Sequence, residues 1–229
     1  MNVLFIGNSF TYYNEMPKMF SQLLRSEGIS ANVEQIVNGG YRLRQYADLD
    51  TADGKTTWDR LQERDWDYVI LQGQSAEAAL EEENFLQSVR TLCDRVRQVG
   101  AKPVLYQTWS YQDSSEKLNT TGMSYGAFYK KIKEGYEKAA KQNNVQIAPV
   151  GDAFLMLNHP IGNLKMIRPD DFHPSLVGSY ATAVCIYCSI FNHAAKDYWH
   201  PIDIPGTDVD QIWRIVRMVI EERRETAAC

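Results

Sequence analysis

Short apolar runs alternate with longer stretches of helical periodicity along the whole chain. The runs cover residues 3–6, 32–37, 68–71, 103–106 and 145–150, and each reads as a strand. Tyr68-Val69-Ile70-Leu71 has no polar alternation, as expected of a strand covered on both faces. The long periodic stretches are 17–27, 81–99, 124–143, 176–195 and 209–226. In the second of these, Phe85, Val89, Leu92 and Val96 form one stripe, with acids in the first turn and arginines later. Pro17 suits a first helical turn, and Gly28 and Gly100 suit helix stops. Residues 176–195 are apolar nearly all round and predict a buried helix. Shorter helices are expected at 42–49, at 58–64 and at 153–157, the last capped by Asp152. Residues 112–122, 158–174 and 199–206 read as loops.

Strand followed by helix, repeated, predicts an α/β domain with a parallel sheet covered on both faces. The 229 residues suit one domain spanning 1–229. Ligands of such sheets sit at the carboxyl edge of the strands. The segments that end there are Ser9, Gly39-Gly40, residues 72–75, residues 108–111 and the loop to His173. The polar oddities of the chain gather at that edge.

Composition narrows the partners. A formal net charge of −5 leaves no basic footprint for nucleic acid. No window reaches the ~18 apolar residues of a membrane span. Met1-Asn2 leads straight into the first strand, so a cytoplasmic protein is expected, with a trimmed secreted or periplasmic protein as the alternative. Cys185 and Cys188 have redox or metal spacing but lie inside an apolar run, which predicts buried thiols; Cys229 is expected to be exposed. Asn119-Thr120-Thr121 matches a glycosylation triplet, which carries little weight without a secretion signal.

Two short stretches carry chemistry. Gly7-Asn8-Ser9-Phe10-Thr11 follows the first strand, and Asp170-Asp171-Phe172-His173 lies in the loop after the fifth. Either alone is ordinary turn chemistry; together they supply a nucleophile, a base and an orienting carboxylate. Ser9 is the expected nucleophile, His173 the base, and Asp170 the acceptor that fixes the imidazole tautomer. The Ser9 and Gly40 backbone N–H groups and the Gln74 amide are candidate oxyanion donors. His159, His193 and His200 have no carboxylate at turn spacing and read as surface or structural residues. No second ligand pair accompanies His173, so no metal site is expected. Neither G-x-G-x-x-G nor a P-loop follows the first strand, which disfavours a nucleotide cofactor.

These residues resemble the SGNH/GDSL hydrolase superfamily, in the branch whose first block reads G-N-S-F-T. The resemblance runs from Met1 to the helix after His173. It implies a flavodoxin-like three-layer α/β/α sandwich, with a five-stranded parallel sheet in order 2-1-3-4-5. It implies Ser9 as nucleophile and oxyanion donor, Gly40 as second donor with Gly39 one position off, and the pair Asp170 and His173. The third block departs from the family's G-x-N-D: here it is Gln72-Gly73-Gln74-Ser75. Gln74 aligns with the Asn, and Gln72 is the alternative. The family cleaves esters, thioesters and acylated sugars without a cofactor. Trp109, Tyr111, Tyr12, Tyr13 and Tyr41 are expected around the mouth, which suits sugar faces or short acyl groups. The expected function is therefore a serine esterase acting on O-acetyl or other small O-acyl groups of a carbohydrate. The alternatives are a binding-only member of the fold and a thioesterase or lysophospholipase-type lipid esterase. Ile212, Ile215, Val216, Val219 and Ile220 on the last helix suit either covering the sheet or pairing two copies.

Overall fold

The computed structural model describes residues 1–158, 162–191 and 199–228. His159, His193, Cys229 and residues 192–195 of the expected long helix lie outside these. In chain order the elements are β1 (Asn2–Gly7), α1 (Ser9–Tyr12), α2 (Met16–Ser26), β2 (Asn32–Val37), α3 (Leu43–Ala47), α4 (Ala52–Gln62), β3 (Tyr68–Gln72) and α5 (Glu77–Leu80). They continue as α6 (Glu82–Gln98), β4 (Lys102–Tyr106), α7 (Glu116–Asn119), α8 (Tyr125–Asn143), β5 (Gln146–Ala148), α9 (Val150–Asn158), α10 (Leu176–Phe191) and α11 (Gly206–Ala228). The five strands form one parallel sheet in order β2-β1-β3-β4-β5.

The two-residue period of a strand decides what each helix covers. Val3, Phe5, Ile70, Val104 and Tyr106 face a layer made by α2, α9, α10 and α11. Leu4, Ile6, Val69, Leu71 and Leu105 face the opposite layer of α3, α4, α6 and α8. Both faces are dry, which explains the unbroken apolar runs. The α11 stripe of Ile212, Ile215, Val216, Val219 and Ile220 is buried within this chain, against the first layer. Cys185 and Cys188 are buried in α10, and burial pushes the Cys188 thiol up to about 12. Among the described residues, no helix is long and apolar enough to cross a membrane.

Several elements differ from the sequence expectation, among them α7, which lies inside the expected loop 112–122. The helix expected at 58–64 begins at Ala52, where the Thr51 hydroxyl accepts the Gly54 N–H at 3.0 Å. That cap outweighs the thin apolar content. The short helix α5, which was not foreseen, precedes α6. Helix α9 begins at Val150, so Asp152 does not cap it from outside; its carboxylate instead accepts from the Tyr129 hydroxyl at 2.6 Å and Lys133 at 2.9 Å.

Helix α8 supports α5 at close range. A Cβ on Gly135 would lie 2.5 Å from the Ala78 carbonyl oxygen. Alanine is ordinarily the better helix former by about 1 kcal/mol. Gly135→Ala is nevertheless expected to destabilise the fold by about 1–3 kcal/mol, through overpacking against backbone. A thermal melt should show a lower midpoint; one equal to wild type or higher would mean that α8 does not pack this tightly.

Candidate active site

The turn after β1 is held by groups from β3, from the loop after β2 and from α3. A Cβ on Gly7 would lie 2.5 Å from Thr11 Oγ1 and 2.6 Å from Gln72 Oε1, so the chain can pass there only as glycine. The Asn8 N–H and the Thr11 hydroxyl both donate to Gln72 Oε1, each at 2.9 Å. The Asn8 side chain accepts the Phe10 N–H at 3.1 Å and donates to the Tyr41 carbonyl at 2.9 Å. It thus caps the turn that carries Ser9 and ties it to the loop of Gly39 and Gly40. The Tyr46 hydroxyl donates to the Gly7 carbonyl at 2.6 Å and accepts the Asn38 N–H at 2.9 Å.

The second chemical stretch folds back onto this turn. The Phe172 and His173 N–H groups donate to Asp170 Oδ1 at 3.2 and 2.9 Å. Asp170 Oδ2 lies 2.9 Å from His173 Nδ1, and His173 Nε2 lies 3.0 Å from Ser9 Oγ. Burial alone would raise the Asp170 carboxyl, but these backbone and ring hydrogen bonds outweigh it and hold the carboxyl below its ordinary value. Tyr13 stacks on the imidazole at 4.2 Å with an 11° interplanar angle, and Phe172 packs on it at 4.0 Å. Asp171 takes a left-handed conformation (φ 68°) that lets the chain turn between Asp170 and His173.

Asn14 joins the two halves. Its backbone is left-handed (φ 52°), a conformation asparagine tolerates better than most residues. Its amide nitrogen lies 3.1 Å from the Pro174 carbonyl, 3.0 Å from that of Ser175 and 2.8 Å from Ser179 Oγ. Sequence reasoning missed it, because its partners lie some 160 positions away.

The candidate donors open on the same space. Gly40 is left-handed (φ 73°), and none of the described groups accepts its N–H or that of Ser9. Gln74 Oε1 accepts the Ala76 N–H at 2.8 Å, and its Nε2 donates to Ser75 Oγ at 2.8 Å. An amide has two N–H donors, so one of Gln74 remains for a ligand. Gln72, the alternative, is buried, does not line the pocket described below, and has its amide nitrogen bonded to the Gly73 carbonyl. Below, Glu77 accepts the Gln74 N–H at 2.9 Å and the Leu43 N–H at 3.2 Å, joining two of the donor loops. Burial pushes the Glu77 carboxyl up.

Ser9, His173, Gly39, Gly40, Gln74, Ser75, Tyr12, Tyr13, Phe172 and Lys117 are among the residues lining a pocket of about 280 Å³. Three aromatics expected at the mouth are elsewhere. Trp109 is buried, stacked between Phe10 at 4.2 Å and Phe154 at 4.1 Å, with its indole N–H on the Phe172 carbonyl. It supports the site from beneath. Tyr41 does not line the pocket; its hydroxyl donates to Asp53 at 3.0 Å and its ring packs on Tyr46. Tyr111 is buried as well, sharing a 2.7 Å hydrogen bond with Ser75 Oγ.

Comparison with solved structures finds the same architecture. A protein from Slackia heliotrinireducens, described as a candidate SGNH hydrolase, is 30% identical with a TM-score of 0.75, over 83% of this chain and 98% of that one. A Bacteroides uniformis protein of the DUF4886 family is 19% identical with a TM-score of 0.82, over 96% of this chain and 94% of that one. An acetyl-xylooligosaccharide esterase from Geobacillus is 14% identical with a TM-score of 0.61, over 86% of this chain and 97% of that one. No protein-family model and no curated protein matches the sequence.

The Asn14 amide and its left-handed backbone make separable contributions. Asn14→Gly removes the amide and keeps the backbone free, at an expected cost of about 1–2 kcal/mol. Asn14→Ala adds left-handed strain of a further ~1 kcal/mol. Melting points should therefore fall in the order wild type, Gly, Ala; an alanine variant as stable as wild type would show that the clasp carries no energy.

Proposed function

The chain belongs to the SGNH hydrolase superfamily, and from that premise we propose that it is a serine esterase removing small acyl groups, acetyl above all, from carbohydrate hydroxyls. The observation that carries this reading is the unbroken chain Ser9 Oγ, His173 Nε2, His173 Nδ1, Asp170 Oδ2, with steps of 3.0 and 2.9 Å, opening on a small pocket.

The chemistry follows from the geometry. His173 Nε2 takes the Ser9 proton as Oγ attacks the carbonyl carbon, and Asp170 stabilises the imidazolium through Nδ1–H. The carbonyl oxygen, now anionic, meets the Ser9 and Gly40 N–H groups and the free N–H of Gln74. Collapse breaks the ester bond, and His173 returns its proton to the leaving alcohol. Water then attacks acyl-Ser9 by the same route, releasing the acid and restoring the serine.

Pocket size supports the choice of acyl group. About 280 Å³ lies just below the ~300–1,000 Å³ of sites that enclose drug-sized ligands. A short acyl group fits within it. Tyr12, 36% exposed, and Tyr13 stand at the rim, where ring faces suit the apolar face of a sugar. An acetyl-xylooligosaccharide esterase shares this fold, so the fold accommodates that chemistry.

Three measurements test the reading. Aryl acetate hydrolysis should exceed that of the octanoate by about tenfold or more in kcat/KM. Its acid limb should follow a single protonation, that of His173, since the depressed Asp170 carboxyl stays ionised until lower pH. Equal rates on both chain lengths, or a limb steeper than one proton, would contradict it. In Gln74→Ala, loss of one oxyanion donor should lower kcat by about 10²–10³. An unchanged kcat would remove Gln74 from the oxyanion hole.

A further inference from the structure

The pocket has one fully cationic side chain on its wall. Apart from His173, Lys117 is the one titratable charge-bearing residue among those lining it besides the rim tyrosines, and no aspartate or glutamate lines it. Lys117 sits on the short helix α7, which Ser115 caps. Its ammonium lies 3.2 Å from the centroid of the Phe172 ring and 5.8 Å from that of Tyr111. The two rings hold it over the pocket by cation–π attraction. It makes no ion pair among the described residues. Asp170 is the carboxylate that acts on it, and Asp170 is already occupied by the His173 ring and two backbone N–H groups.

A second cation stands behind the rim. The Arg168 guanidinium lies 5.3 Å from the centroid of Tyr13, which itself lines the pocket. Its Nε is 3.9 Å from Asp170 Oδ2, so it shares a carboxylate that is already engaged. The chain as a whole is acidic at −5, yet the mouth of this pocket presents positive charge. A neutral acetyl sugar needs no such charge. An exposed ammonium held at the pocket wall by two rings, with no ion pair among the described residues, gains from an anionic ligand.

We propose that the substrate carries a carboxylate beside its scissile ester, and that Lys117 is the residue that recognises it. The proposal rests on the esterase reading and narrows its substrate class. The carboxylate has two sources of the same chemistry: a uronic acid on the alcohol side, or a dicarboxylic half-ester on the acyl side. Recognition here is electrostatic selection, in which the acid competitor pairs with Lys117 and the neutral one leaves it unpaired.

The experiment compares two matched pairs of esters. One pair is acetylated methyl galacturonoside against acetylated methyl galactoside; the other is monoethyl succinate against ethyl butyrate. In wild type at low salt, the anionic member of one pair should be favoured by about tenfold in kcat/KM. The pair that shows it names the side of the ester. The ratio should fall towards one in Lys117→Gln, persist in Lys117→Arg, and shrink as salt screens the charges. A ratio near one for both pairs in wild type, or an undiminished ratio in Lys117→Gln, overturns the proposal. Calorimetric binding of galacturonate, galactose and succinate, in wild type and Lys117→Gln, separates the two readings. Anion binding weakened by Lys117→Gln with no ester turned over would sink the esterase reading and keep the anion site; equal anion binding by both proteins would sink the site itself.

Discussion

One buried oxygen, Gln72 Oε1, holds the turn on which the rest of the site depends. It lies at the carboxyl end of β3 and accepts from both the Asn8 N–H and the Thr11 hydroxyl. Those two donors flank Ser9, so the serine cannot shift without breaking a buried hydrogen bond. Leaving such a group unpaired costs about 1–3 kcal/mol. Gly7 is the other half of the constraint, since any side chain there would collide with the same oxygen. The strand pairing of β1 with β3 brings these groups together, and the sheet thus sets the position of the nucleophile.

The other half of the site arrives from a distant part of the chain. The imidazole is clamped between Asp170 below and Tyr13 on its face, and the loop that bears it is fastened by Asn14. Trp109 lies under both halves, with Phe10 of the serine turn on one face and the Phe172 carbonyl at its N–H. Support of this kind keeps a short hydrogen-bond chain aligned without ligand present, which is what preorganised catalysis requires.

Much of this was legible in the sequence. The alternation of apolar runs and periodic stretches located every strand and each long helix, because burial on two faces leaves a plain signature. The residues that meet at the site could be picked because Ser9 is a reactive type just past a strand end and His173 one in a loop with a carboxylate at turn spacing. What could not be read were polar residues whose role depends on remote partners. Gln72, the alternative donor, buttresses the serine turn, and Asn14 carried no local signal of its role. Trp109 lies at the right edge of the sheet, but residue type alone does not say whether a ring faces solvent or core, and here the stack with Phe10 and Phe154 draws it inward. Thr51 was a cap signal hidden in a stretch with little apolar content.

Gln74 departs from the family pattern and still places an amide on the pocket wall. A longer amide arm has more freedom to lose, and its own loop removes that freedom through Ala76 and Ser75 while Glu77 anchors the backbone beneath. The central claim is that Ser9 is an activated nucleophile. Its most direct test is intact mass after incubation with a fluorophosphonate probe, with Ser9→Ala alongside. The account predicts one adduct on wild type and none on the variant. No adduct on wild type, or an equal adduct on both, would contradict it.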